Sequence, residues 1–392
     1  MRFDEAFFDQ GIDRRNTGSE KWDDRSVMNE GGIPLWVADM DFPCAPAIMD
    51  AVQSRARHAC FGYSTADPEG GEALAGFWLR RHALKIDPKE IVTLPCVVTG
   101  LKTCVRAFTQ PGDGVAIFTP VYGPFYASIQ ANGRRVVPVS LLRDDQTGRY
   151  EMNLAGMEEA LKNGAKLIML CSPHNPVSRL WGREELTALC RLAERYDAPI
   201  VCDEIHADFV YQPGVFTPLL SIPGAEERTV MLCAASKTFN IAGLQQASAV
   251  CRNPKMRAAL QADLTASGVM SGNVFAMAAT RAAYTGCDGW LDGLIAYLDK
   301  SRGLMKELTE QYLPRAVMTP VEATFLAWLD LRAYGKTCAE MAQKCKAGGV
   351  ALTGGTFFGK EGEGFMRVNF GCPRALLTEG MQRLGRIMEE EK

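Results

Sequence analysis

Along the chain, the spacing of apolar and polar residues changes rhythm four times. To about Phe42 it is polar and irregular, and it ends in Pro34-Leu35-Trp36-Val37-Ala38-Asp39-Met40-Asp41-Phe42-Pro43. A plain buried strand has no use for two carboxylates, so this segment reads either as a loop capped by them or as chain lining a site. Residues 45–58 read as a helix opened by Pro46. Phe61-Gly62-Tyr63-Ser64 reads as a turn, and 72–82 as a helix with Leu74, Phe77 and Trp78 at helical spacing. From Ile91, short apolar runs alternate with helical segments. The runs predict strands at 91–94, 114–119, 135–139, 167–171, 200–203, 230–233 and 247–250. The segments between them predict helices at 101–108, 122–131, 157–162, 183–196 and 254–264. This alternation predicts an α/β layer with a mostly parallel sheet, covered by helices on both faces. Helical spacing then holds from 273 to 312. The remainder mixes strands at 325–329 and 365–370 with helices at 338–347 and from 373 to the end. The expected division is an N-terminal segment 1–44 that joins a smaller α+β domain 286–392, and a large domain 45–285 between them.

Composition narrows the class. The chain has 392 residues, 47% of them hydrophobic, with a formal net charge of −3. That charge gives no reason to expect nucleic acid or a membrane surface as partner. No basic segment followed by an apolar run opens the sequence, and no apolar stretch is long enough to span a bilayer, so a cytoplasmic protein is expected. The 13 cysteines are scattered without a C-x-x-C pair, which reads as free thiols in a reducing compartment. With four histidines and no H-E-x-x-H, no metal site is expected.

In open parallel sheets ligands sit beyond the carboxyl ends of the strands. Four such ends carry polar chemistry here. Val98-Thr99-Gly100-Leu101-Lys102 follows the first strand, with Gly100 expected to open a helix whose free amides suit a phosphate. It is neither G-x-G-x-x-G nor a Walker loop. Ser172-Pro173-His174-Asn175-Pro176 follows the fourth strand, and Asp203-Glu204-Ile205-His206 closes the fifth. Ala235-Ser236-Lys237-Thr238-Phe239-Asn240 follows the sixth. A lysine at the floor of such a crevice can lose its proton and attack a carbonyl.

Tyr122, Asn175, Asp203, Ser236 and Lys237, in this order and each at or beyond the end of a predicted strand, resemble fold-type I pyridoxal-phosphate enzymes of the class I/II aminotransferase family. Within it, the cystathionine β-lyase group is the nearest likeness. The segments that carry it are 36–42, Phe61-Gly62-Tyr63, Asp203-Glu204-Ile205-His206 and 236–244. The resemblance implies pyridoxal 5'-phosphate as cofactor, with Lys237 bonded to it and freed to take the substrate's α-proton. It implies Asp203 on the pyridine nitrogen, Asn175 on the phenolic oxygen and Tyr122 stacked on the ring. Ser236 and the amides of Gly100, Leu101 and Lys102 would hold the phosphate. Arg367, with Asn175, would grip the substrate carboxylate. Tyr63 would reach the phosphate of a neighbouring subunit, which implies a homodimer with shared sites.

Two positions depart from the wider family. Gln245 stands where a phosphate-binding arginine is usual, and His206 where many members have tyrosine. His206 can sit behind the ring or touch its oxygen. The implied activity is β-elimination from cystathionine or a related S-substituted cysteine, giving a thiol, pyruvate and ammonia. Amino transfer to a 2-oxo acid, and a regulatory role in holding a transcription factor, are the alternatives.

Overall fold

The computed structural model of the protein describes residues 2–65, 67–269 and 272–389. Among them, seven strands form one sheet, in the order 91–94, 247–250, 229–233, 200–203, 165–171, 114–119, 135–140. Only Ala247–Val250 runs against its two neighbours; the other pairings are parallel. The expected α/β fold with a mostly parallel sheet is what the chain adopts.

The continuous apolar runs are explained by burial on both faces. Val115, Ile117, Leu167, Met169, Val201 and Leu232 pack against helices Val97–Phe108 and Pro254–Ala266. Alternate residues of the same strands, Ala116, Phe118, Ile168, Leu170, Ile200 and Cys202, pack against Leu154–Lys162 and Arg183–Arg195. Period-two alternation along a strand thus serves two apolar cores.

A second, four-stranded antiparallel sheet is built from Val317–Met318, Leu326–Asp330, Phe365–Asn369 and Thr353–Gly354. The N-terminal segment forms a separate two-stranded sheet, Ile33–Pro34 pairing in parallel with Val350–Ala351. Helix Asp288–Tyr312 packs along helix Arg374–Glu389. The expectation that this last helix runs to the end of the chain concerns residues 390–392, which lie outside the described residues.

Two local expectations are corrected. Phe61 to Ser64 form irregular chain rather than a turn. The helix expected to open at Gly100 begins at Val97. Val97 and Val98 favour strand by their β-branched side chains, but burial of Val97, Leu101, Cys104 and Val105 on one helical face overrides that preference.

Candidate active site at the strand ends

Five strand ends converge on one crevice. Across the sheet it is bordered by the start of helix Val97–Phe108, the turn Ala235–Thr238, Asp203, Asn175 and Tyr122. A segment crossing from the N-terminus, 35–42, lies against it, and the four-stranded sheet contributes Arg367.

Lys237 is the third residue of a single helical turn, Ala235–Thr238. Its Nζ donates to the carbonyl of Ala38, 2.6 Å away. Its pKa is lowered chiefly by desolvation, with the Arg367 charge acting the same way and Asp39 and Asp203 opposing. Lowering a lysine pKa raises the fraction of free amine at neutral pH.

Asp203 is buried, and its Oδ1 accepts from the Ile205 amide at 3.1 Å. Burial pushes its carboxyl up to about 7, against that hydrogen bond and the Lys237 charge. A carboxyl held this way gains most from a cation at close range. His206 is also buried, between Phe209 and Phe325. Desolvation, then Lys237 and Arg367, push it down to about 3, and its Nδ1 has no partner among the described residues.

Arg367 is 3% exposed, yet no carboxylate faces it among the described residues. One terminal nitrogen donates to Asn175 Oδ1 at 3.1 Å; the other donates to the Trp36 carbonyl at 2.6 Å and Thr353 Oγ1 at 3.3 Å. Its Nε has no partner among the described residues. Burial lowers the guanidinium pKa to about 10. Asn175 links this cation to Tyr122, because its backbone carbonyl accepts from the Tyr122 amide at 3.1 Å.

Other expected residues fall differently. The Gly100 amide donates to the Cys96 carbonyl at 3.2 Å, inside the helix. Gly100, Leu101 and Lys102 are therefore past the helix start, and the amides without an intrahelical acceptor are those of Val97, Val98 and Thr99. Gly100 has a packing role instead: a Cβ there would come within 2.8 Å of Leu232 and of Leu94. Ser236 is half-buried beside Lys237, with its carbonyl accepting from Ile241. Gln245 is exposed in a left-handed conformation, φ +58°. Tyr63 is wholly exposed, 106%, and so takes no part in this chain's own crevice.

Among the described residues Asp39 and Asp41 do not cap the amides of their own loop; other side chains hold them, and their segment borders the crevice. Their partners are Arg14, Lys21 and Trp22, at 2.6–3.0 Å. The same segment also lines the crevice through Ala38. Asn240 secures it from below: its side chain accepts from Met40 N and donates to the carbonyls of Met40 and Phe42. Asn369 holds it from the other sheet through the carbonyls of Val37 and Asp39. Neither Asn240 nor Asn369 is among the site residues expected from the sequence. An asparagine directly after a buried turn was the available signal.

The fold and crevice define an open-sheet α/β enzyme with a desolvated lysine at a strand end. The sequence pattern of the family Aminotransferase class I and II matches residues 30–384, and the chain belongs to that family. It is 40% identical over 382 residues to cystathionine beta-lyase PatB of Bacillus subtilis, covering 96% of this chain and 98% of that one. It is 33% identical to protein MalY of Escherichia coli, covering 96% and 97%. The crystal structure of cystalysin from Treponema denticola, which contains pyridoxal 5'-phosphate, superposes with a TM-score of 0.93 at 30% identity. That superposition covers 97% of this chain and 98% of the other.

Proposed function

We propose that the protein is a pyridoxal-phosphate-dependent C–S β-lyase that cleaves cystathionine or related S-substituted cysteines. The observation that carries the cofactor is Asp203, a buried carboxyl raised to about 7 and lying in one crevice with Lys237. Such a group suits a protonated pyridine nitrogen. The full-length likeness to PatB supports lyase chemistry over amino transfer.

The cofactor, when bound, supplies an aldehyde for amine exchange and a ring that draws off electrons released at the substrate's α-carbon. The chain's own residues supply the rest. Asp203 holds the ring nitrogen, Asn175 the phenolic oxygen, and Tyr122 covers the ring face. Ser236 and the free amides of Val97, Val98 and Thr99 hold the phosphate, where the helix start favours an anion. Arg367 and Asn175 take the substrate carboxylate; the guanidinium fork suits that bidentate group. Lys237 Nζ receives the α-proton and can return it toward the departing sulfur. The thiol leaves, water is consumed, and pyruvate and ammonia remain. Tyr63 of the partner subunit completes the phosphate site in a homodimer. The 13 unpaired thiols suit a reducing cytoplasm.

The test is incubation of the yellow, cofactor-loaded protein with cystathionine and no 2-oxo acid. Thiol and pyruvate should appear in equal amounts, and Lys237→Ala should lose nearly all turnover. Amino transfer to an added 2-oxo acid without thiol release would overturn the lyase reading.

A further inference from the structure

Behind the lysine turn lies a buried polar chain that the chemistry above does not use. Thr238 directly follows Lys237 and is 2% exposed. Its Oγ1 donates to Asp208 Oδ2 at 2.6 Å. The other oxygen of Asp208 meets His82 Nε2 at 2.9 Å. Both the Asp208 and His82 side chains are 6% exposed. His82 is the last residue of helix Pro68–His82, where backbone carbonyls favour a proton donor. Trp78, Phe216 and Phe77 surround its ring, at 4.6, 5.3 and 6.3 Å between centroids.

The other titratable groups close to Asp208 are Cys233 and Tyr284, both held neutral by burial. On the histidine's own helix, Arg80 reaches toward Tyr284 and Asp288, and Arg81 pairs with Asp292. The pair therefore stands as a local charge–hydroxyl chain aimed at one residue, Thr238.

That residue needs an anchor. The turn Ala235–Thr238 is four residues long, and its N-cap, Ala234, offers no side-chain hydrogen bond. A single turn is unstable by itself. Asn240 ties the segment after it to residues 40–42, and Thr238 ties the turn itself to the turn at 205–208 and, through Asp208, to the end of helix Pro68–His82. We infer that His82, Asp208 and Thr238 form a buttress that fixes the direction of the Lys237 amine. They are positioning residues that set how readily this amine gains and loses its proton. The inference rests on the reading of Lys237 as the cofactor-bearing residue.

The test uses the cofactor-loaded protein. Thr238→Val keeps the shape and removes the hydroxyl; Asp208→Asn removes the charge; Thr238→Ser restores the hydroxyl. Thr238→Val and Asp208→Asn should each lower kcat about 10- to 50-fold with KM within about threefold. Each should also move the pH midpoint of the visible absorbance band by about half a unit or more. Thr238→Ser should bring both readings back to within about threefold and ~0.2 unit of the parent. Wild-type kcat and band midpoint in Thr238→Val at full cofactor content would overturn the inference. So would a Thr238→Ser variant as impaired as Thr238→Val, because packing alone would then be responsible. Where Thr238→Val does not accumulate as folded protein, Asp208→Asn carries the same expectation, and parental values in it overturn the inference equally. Lys237→Ala separates the two readings. If it keeps the parental band, the cofactor assignment fails; if it loses the band while Thr238→Val leaves it unmoved, only the buttress fails.

Discussion

Two buried polar clusters lie a few residues apart in this protein, and they are built on opposite principles. Around residues 39–41, two cations and two carboxylates saturate one another. Lys21, 1% exposed, donates to Asp41 and to the Asp39 carbonyl, while Arg14 bridges both carboxylates. In the crevice, Lys237 shares Asp203, a carboxyl raised to about 7, and feels the outer charge of Asp39, while Arg367 has no carboxylate partner and the nearby His206 is held neutral. The first cluster closes on itself and holds a strap in place. The second has an excess of positive charge and unpaired donors, which suits an anionic ligand. Volume does not mark the difference. A groove of about 950 Å³ lies elsewhere, lined by residues such as Arg149, Arg179, Tyr211, Arg302 and Glu322. Its buried arginine, Arg179, is already bound to Glu185 and Glu322. Missing partners, not empty space, locate the site.

The largest effect should come from breaking the unsaturated cluster. Arg367→Gln should lower kcat/KM for an amino-acid substrate by about 10³-fold, through the loss of a charge-assisted, bidentate grip. Because the arginine is buried without a counter-charge, its removal should leave the melting temperature unchanged or raise it. Steady-state kinetics and a thermal scan check both halves. A marked loss of stability with near-normal kinetics would make Arg367 a structural residue and erase the contrast.

Much of this contrast was legible in the sequence, and the rest was hidden for definite reasons. Strand ends were readable because strands buried on both faces give unbroken apolar runs, and Asp203 and Lys237 interrupt them at their carboxyl ends. Asp39 and Asp41 stood out as carboxylates in an apolar segment. Their partners Arg14 and Lys21 did not, because an ion pair between irregular segments leaves no periodic trace. The helix start at Val97 was misplaced because three β-branched residues, Val97, Val98 and Thr99, ahead of Gly100 imitate a strand and its turn. Tertiary burial of Val97 and Leu101 decided otherwise. Thr238, Asp208 and His82 come from three separate elements, and only the fold brings them together.

The saturated cluster should respond in the reverse sense. Lys21→Met leaves one carboxylate of the network without a compensating cation, in a place where water cannot replace it. The expected cost is about 3 kcal/mol of stability, read as a fall in the denaturation midpoint, with KM changed by less than about threefold. Lys21→Met combined with Asp41→Leu should recover part of the loss, because the pair then disappears together. If the single variant is as stable as the parent, the cluster is not closed in the way its hydrogen bonds indicate. If KM rises as steeply as in Arg367→Gln, the two clusters are one functional unit.

The smallest effect concerns pH, where the groups beside the crevice act in opposite directions. His174 and His206 are held neutral in the folded chain, at about 4 and about 3, chiefly by burial. The unfolded chain binds the extra protons below about 6.5, so their stabilising effect is lost as pH falls from there. Asp203 and Glu204 are raised, chiefly by burial, to about 7 and about 8. Their favourable contribution is complete below about 4 and is lost as pH rises through those values. Between about 4 and 6.5 the two pairs oppose each other; above that range only the carboxyls still act. The cofactor-free protein should therefore lose roughly 2–4 °C in melting temperature between pH 6.5 and 8. Glu204→Gln, which keeps an acceptor for the Leu219 amide now 2.8 Å away, should flatten the later part of that fall. The bound cofactor should remove the share due to Asp203, since a cation at the carboxyl favours its charged form. Equal melting temperatures at both pH values in the cofactor-free protein would mean that the crevice carboxyls are already compensated, as those of the strap are.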